Sequence, residues 1–166
     1  MRKFLFFLMC LSLSVMASAQ LQKVAFKSAT ATSYQSGEDA NKAFDGNYET
    51  IWHSSYSSTS FPVTITLTLN EKTHVDILRY VPRQSGTNGN WNEVDVEYSE
   101  STILNNKWTS LGTYILNGSG SSYDFNMPEG DLSIARVRFR IKSGSGNFAS
   151  AAEIEAYTID NTKQEA

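Results

Sequence analysis

The chain has 166 residues, with 14 Lys+Arg against 17 Asp+Glu and a formal net charge of −3. That length fits one domain. The acidic balance argues against nonspecific nucleic-acid binding, which needs a basic surface. Arg2 and Lys3 form a basic n-region, Phe4 to Val15 a mostly apolar h-region, and Ala17-Ser18-Ala19 a small-x-small cleavage site. This pattern predicts a signal peptide over 1–19, cut before Gln20. Export to the periplasm, the cell surface or the medium follows. The apolar run is too short to span a bilayer comfortably. Met9 stands before Cys10, where lipoprotein processing wants a small residue. Cleavage removes Cys10, the only cysteine, so the mature chain is expected to lack a disulfide, a thiol nucleophile and a Cys-based zinc site. It also removes Arg2 and Lys3, which leaves 12 basic residues against 17 acidic and a net charge of −5.

Beyond the leader, period-two alternation replaces helical periodicity. A first weak strand is expected over 22–32. A short helix fits Glu38 to Phe44, where Ala40, Ala43 and Phe44 share a face. Val63-Thr64-Ile65-Thr66-Leu67-Thr68-Leu69 alternates throughout and reads as a half-buried strand. A weaker strand follows over 74–82. Val94, Val96 and Tyr98 then alternate with Glu93, Asp95 and Glu97. Weak strands are expected over 107–116 and 121–127. Ala135, Val137, Phe139 and Ile141 alternate with Arg136, Arg138, Arg140 and Lys142. A last strand is expected over 152–158. Loops rich in Gly, Ser and Asn separate these elements. About eight antiparallel strands of this kind predict an all-β sandwich or jelly roll over 20–160. A polar, flexible tail occupies 161–166.

The two charged stripes read as the solvent faces of two strands, able to pair across a sheet. Trp52, Trp91 and Trp108 read as core or half-buried residues. His74, without a partner pattern, reads as a surface residue.

Three clusters carry chemistry. Asp45-Gly46-Asn47-Tyr48-Glu49-Thr50 gathers oxygen donors on one tight loop, as calcium requires. Asp-Gly and Gly-Asn are also ordinary turn pairs. Tyr80-Val81-Pro82-Arg83-Gln84 ends a strand at a Gly/Asn-rich loop. Gly144 to Ile154 places Phe148 among small residues and Glu153 beside the last strand.

Together, DGNYETIWHS, RYVPRQSGTNGNW and VRFRIKSGSGNFASAAEIEAY resemble the discoidin or coagulation-factor type C superfamily, which is galactose-binding-like. The nearest resemblance is to family 32 carbohydrate-binding modules, and it spans about residues 24 to 158. The resemblance implies a jelly-roll β-sandwich. It implies a structural calcium held by Asp45, Thr50 and Glu153, with backbone carbonyls near Ala43, Asn47 and Ala152. It implies a sugar site with His53 and Arg83 on hydroxyls and Asn88 or Asn90 from the following loop. Glu38 would come from the first loop, and Phe148 and Tyr56 would be aromatic platforms. Tyr at position 56 departs from the commoner Trp and offers less stacking area.

These residue types suit a neutral sugar. An aromatic ring covers the C–H face of a pyranose. Arg offers a rigid fork of donors, and charge assistance strengthens its bonds. Few contacts in an open site imply binding on the order of −4 to −8 kcal/mol. The implied role is non-catalytic binding of galactose- or N-acetylgalactosamine-type glycans, beside a separate glycan-degrading enzyme or a cell-surface complex. A glycosidase needs two carboxylates flanking a bond, and Glu38 and Glu49 already have other motif roles. Neither Gly-x-Ser-x-Gly nor His-Glu-x-x-His occurs. Discoidin-like adhesion to protein or anionic lipid is the alternative, but membrane-binding members carry apolar spikes, whereas these loops are mostly Ser, Gly and Asn.

Overall fold

The computed structural model describes residues 20–103 and 107–160. The expected signal peptide and tail lie outside them. Eleven strands run through the described residues, joined by two short 3-10 turns and loops. In chain order they are β1 Gln20–Val24, β2 Phe26–Ala31, β3 Trp52–His53, β4 Val63–His74, β5 Ile77–Val81, β6 Trp91–Ser99, β7 Thr109–Ile115, β8 Tyr123–Asn126, β9 Ser133–Gly144, β10 Ser150–Ala151 and β11 Glu153–Asp160.

They form a four-stranded sheet ordered β1-β11-β5-β8 and a five-stranded sheet ordered β2-β4-β9-β6-β7. A two-stranded ribbon joins β3 to β10. The pairings are antiparallel throughout. The architecture is therefore the expected all-β sandwich, with more strands than the eight that alternation reveals. Two of the extra strands, β3 and β10, are two residues long and leave no periodic trace. Another arises because the segment over 22–32 is not continuous. It breaks at Ala25, so that β1 joins β11 in one sheet and β2 joins β4 in the other.

The core lies between the sheets. Leu78, Tyr80, Phe125, Ile154 and Ala156 come from one, and Ile65, Leu67, Val94, Val96, Val137, Phe139 and Ile141 from the other. Alternation in β4 and β9 follows from this, since one face of each strand is dry. Trp52 and Trp91 are both fully buried, and Tyr80 stacks on Trp91 with ring centres 3.9 Å apart. The short helix materialises as a 3-10 helix, Ala40–Phe44, with Ala40 and Ala43 buried.

The charged stripes pair as neighbouring strands require. Asp95 faces Arg140 and Glu97 faces Arg138 in the β6–β9 register. Arg138 holds Glu97 through two nitrogens, and Lys142 reaches Glu93 at 2.7 Å. Arg136 departs from the solvent-face reading and is buried. Trp108 covers this part of the sheet, with the Arg136 and Arg138 guanidiniums 4.8 and 4.4 Å from its ring centre. Beneath it, Arg136 donates to the Ser101 carbonyl and the Ser99 hydroxyl. His74 likewise has a partner that its isolation in sequence conceals, Asp76 at 2.9 Å.

Candidate functional site

The β3–β10 ribbon builds one end of the sandwich. Its register sets His53 opposite Ser150 and Trp52 opposite Ala151. Ser54 N–H donates to the Ala149 carbonyl at 2.7 Å, and Ala149 N–H donates back to the Ser54 hydroxyl at 3.0 Å. The loop after β3 is thus clamped to the loop before β10, and His53 is brought against Phe148. On the other side, His53 N–H donates to the Glu38 carbonyl and Gln35 N–H donates to the His53 carbonyl. The first loop is thereby tied to the same ribbon.

The β5–β6 loop joins through Gly89, which accepts from Ser150 N–H at 2.7 Å and donates to the Ser145 carbonyl at 2.8 Å. Gly89 has φ +85°, and a Cβ there would lie 2.6–2.8 Å from three Ser150 atoms. Only glycine fits both the left-handed backbone and the close approach.

Four loops distant in sequence therefore converge. His53, Tyr56, Arg83, Asn88 and Phe148 line one open depression of about 370 Å³. The His53 ring is edge-on to Tyr56 at 4.9 Å between centres and tilted against Phe148 at 5.1 Å. His53 as a residue is only 2% exposed. Its Nδ1 sits 2.7 Å from the Ser54 carbonyl, which only accepts, so Nδ1 carries a proton. In the neutral ring Nε2 is then an acceptor. Arg83 is half-buried rather than fully solvent-facing. Its Nε donates to the Ser85 carbonyl at 2.6 Å and its Nη1 to the Asn88 carbonyl at 3.3 Å. These two bonds hold the guanidinium in place at the rim of the depression. Phe148 is also half-buried, against the expectation of an open platform. Tyr56 is exposed, and its hydroxyl donates to Glu38 at 2.7 Å, which raises the phenol pKa.

Asn90 does not join them. It is fully buried and donates to the Gly118 and Ser119 carbonyls, on the far side of the loop. The loop asparagine at the depression is Asn88.

The second cluster lies beside the first. The Thr50 hydroxyl is 2.9 and 2.8 Å from the two Asp45 oxygens and 2.9 Å from the Asn47 carbonyl. Glu153 is completely buried. One carboxylate oxygen accepts from Gly46 N–H at 2.8 Å, which ties β11 to the loop. The other is buried with no hydrogen-bond donor, and its nearest cation is Lys23 at 3.7 Å. Desolvation raises the Glu153 pKa. A buried carboxylate oxygen without a donor is costly unless something neutralises it. Asp45, Thr50 and the Asn47 carbonyl add oxygens on the adjoining loop, the donor type that a hard cation would take. Among the described residues no cluster of three or more His, Cys, Asp or Glu forms, so carbonyls would have to complete any such shell.

One buried acid escapes the motif reading. Glu155, next but one to Glu153 on β11, is 1% exposed. It accepts from Lys23, Tyr48 and Tyr157, each at 2.7 Å. The sequence signal was the spacing Glu153-x-Glu155-x-Tyr157, which puts all three on one side of the strand.

A β-sandwich whose loops gather aromatic, guanidinium, imidazole and amide groups in one shallow depression defines a small-ligand binding domain. The chain belongs to the F5/8 type C domain family, whose match covers residues 28–154. Within it, the chain is similar to carbohydrate-binding modules of the family 32 type. It is similar to the family 32 module of Clostridium perfringens NanJ, solved in complex with galactose, with 25% identity and a TM-score of 0.71 over 79% of this chain and 93% of that one. It is also similar to a C. perfringens family 32 module solved with GalNAc-β-1,3-galactose, with 29% identity and a TM-score of 0.70 over 79% and 94% of the two chains. Among curated proteins, an A type blood N-acetyl-α-D-galactosamine deacetylase of Flavonifractor plautii is 33% identical over 138 residues, 78% of this chain. A galactose oxidase of Gibberella zeae is 38% identical over 65 residues, 37% of this chain. The chain spans only 17% and 10% of those two relatives.

Proposed function

We propose that the protein is an exported module that binds galactose- or N-acetylgalactosamine-bearing glycans at the depression formed by His53, Tyr56, Arg83, Asn88 and Phe148. The carrying observation is the convergence of these five side chains from separate loops onto one surface. The chemistry fits a galacto-configured ring. Its axial 4-hydroxyl leaves one face of C–H groups uninterrupted, which an aromatic ring covers. The hydroxyl itself can donate to the His53 acceptor nitrogen and accept from the Arg83 fork. Glu38 orients Tyr56 through their hydrogen bond. Relatives of this chain solved with galactose and a GalNAc-containing disaccharide support the reading.

The same proposal includes a structural calcium. Asp45, Thr50 and Glu153 would hold it, with backbone carbonyls near Ala43, Asn47 and Ala152. The donorless Glu153 oxygen supports this, and the ion would supply charge neutralisation between the loop and β11. Export, and action beside a separate glycan-degrading enzyme or cell-surface complex, belong to the same reading.

A glycan array tests it. Selective retention of galactose- or N-acetylgalactosamine-terminated glycans is expected. Retention of none, with binding to anionic vesicles instead, would favour the adhesion reading.

A further inference from the structure

We infer that the site extends into a second sugar subsite on the far side of Arg83, so that the preferred ligand is at least a disaccharide. The inference rests on the proposed sugar site and deepens it. A separate open depression of about 350 Å³ borders the first, and Arg83 lines both. Glu38 also lines the second, while its carboxylate accepts from Tyr56 in the first. The partition between the two is therefore made of an arginine and a carboxylate, both able to bond hydroxyls on either side.

The second depression has a platform of its own. Tyr48 is 43% exposed, yet its hydroxyl is anchored to buried Glu155 at 2.7 Å. Glu155 is itself held by Lys23 and Tyr157. An exposed ring fixed at its tip is pre-organised for stacking and loses little freedom on binding. Around it stand Glu38 and Glu49, Lys42 and Arg83, and Gln84, whose amide nitrogen is held by the Pro82 carbonyl at 2.9 Å. Two carboxylates and two cations line it, and Lys42 already faces Asp45 at 3.5 Å, so the surroundings carry no excess positive charge. A neutral hexose or N-acetylhexosamine suits this balance. An acidic sugar does not, because it would bring a third negative charge.

The test compares methyl galactoside and methyl N-acetylgalactosaminide with a panel of neutral disaccharides that carry the same terminal sugar in different linkages. Calorimetric titration of the wild-type protein, Tyr48→Ala and Gln84→Ala reads all of them. At least one disaccharide should bind at least about fivefold more tightly than its monosaccharide. Tyr48→Ala should remove most of that gain and Gln84→Ala part of it, with monosaccharide affinity unchanged in both. Retained monosaccharide binding also reports that each variant is folded. Should Tyr48→Ala fail to fold, Tyr48→Phe keeps the ring but loses its anchor to Glu155 and should keep only part of the gain, and Gln84→Ala decides with it. If the monosaccharides bind and no disaccharide binds more tightly, the subsite is refuted while the primary site stands. The same holds if the gain survives in both variants. If no monosaccharide binds at all, the primary reading fails and the extension falls with it.

Discussion

Replacing Gly89 by alanine should both destabilise the fold and weaken ligand binding, although position 89 carries no side chain into the depression. The new Cβ would lie 2.6 Å from the Ser150 hydroxyl, 2.7 Å from its Cβ and 2.8 Å from its backbone nitrogen. The hydroxyl can rotate away, but the nitrogen belongs to β10 and is bonded to the Gly89 carbonyl at 2.7 Å. Relief therefore needs the β5–β6 loop and β10 to part. An alanine at φ +85° costs about 1–2 kcal/mol in backbone strain, and overpacking of a tight contact adds about 1–3 kcal/mol. The combined loss is about 2–5 kcal/mol, a fall of roughly 4–20 °C in melting temperature for a domain of this size. Parting the loops also separates Asn88 from Phe148, so affinity should fall with stability. Thermal unfolding and sugar titration read the two effects. The double variant Gly89→Ala/Ser150→Gly removes the side-chain clash but leaves the one with the nitrogen, and should stay destabilised. A loss below about 1 kcal/mol with unchanged binding would refute the claim that this contact sets the site.

Arg83→Ala and Phe148→Ala should each weaken galactoside binding by at least about 1 kcal/mol, from lost charged hydrogen bonds and lost apolar area respectively. Arg83→Ala should also cost some stability, since the side chain ties two loop carbonyls; full affinity in both variants would disprove their role. Calcium should raise the melting temperature, by about 2.7 kcal/mol of stabilisation at a hundredfold excess over its Kd, and Asp45→Ala should abolish the response. An unchanged melting temperature in EDTA, with no calcium by metal analysis, would remove the ion from the account. The bond to Asp76, reinforced by the Leu132 carbonyl, raises the His74 pKa. A raised histidine value contributes stability that is full below about pH 6.5 and is lost as pH rises through the folded value. The urea midpoints of wild type and His74→Asn should therefore differ more at pH 6 than at pH 9, and equal differences would contradict the pairing.

The legible parts of this chain are those with a physical period. β4 and β9 announce themselves because each buries one face, so Ile65, Leu67, Val137 and Phe139 alternate with polar residues. β3 and β10 are two residues long, too short for any period, yet they clamp His53 to Phe148. The site was legible as residue types in a pattern, and its remaining ambiguity was a matter of backbone path. Asn88 and Asn90 are equivalent on paper. Gly89, with its left-handed backbone, leaves Asn88 at the depression and Asn90 buried against the Gly118 and Ser119 carbonyls. Arg136 looked like its neighbours in the stripe because alternation cannot show that Trp108 folds over it. Glu155 and Tyr48 were missed for a similar reason. A glutamate in a strand reads as solvated until the loop that covers it, and the three donors that satisfy it, are known.

One end of the sandwich is expected to be a galactoside site. The most direct test is an NMR titration of the protein with methyl β-galactoside, with methyl β-glucoside as control. Saturable shifts should appear for the galactoside alone, at His53, Tyr56, Arg83, Asn88 and Phe148. Absence of saturation, or shifts centred elsewhere, such as on Trp108 and Arg136, would contradict the account.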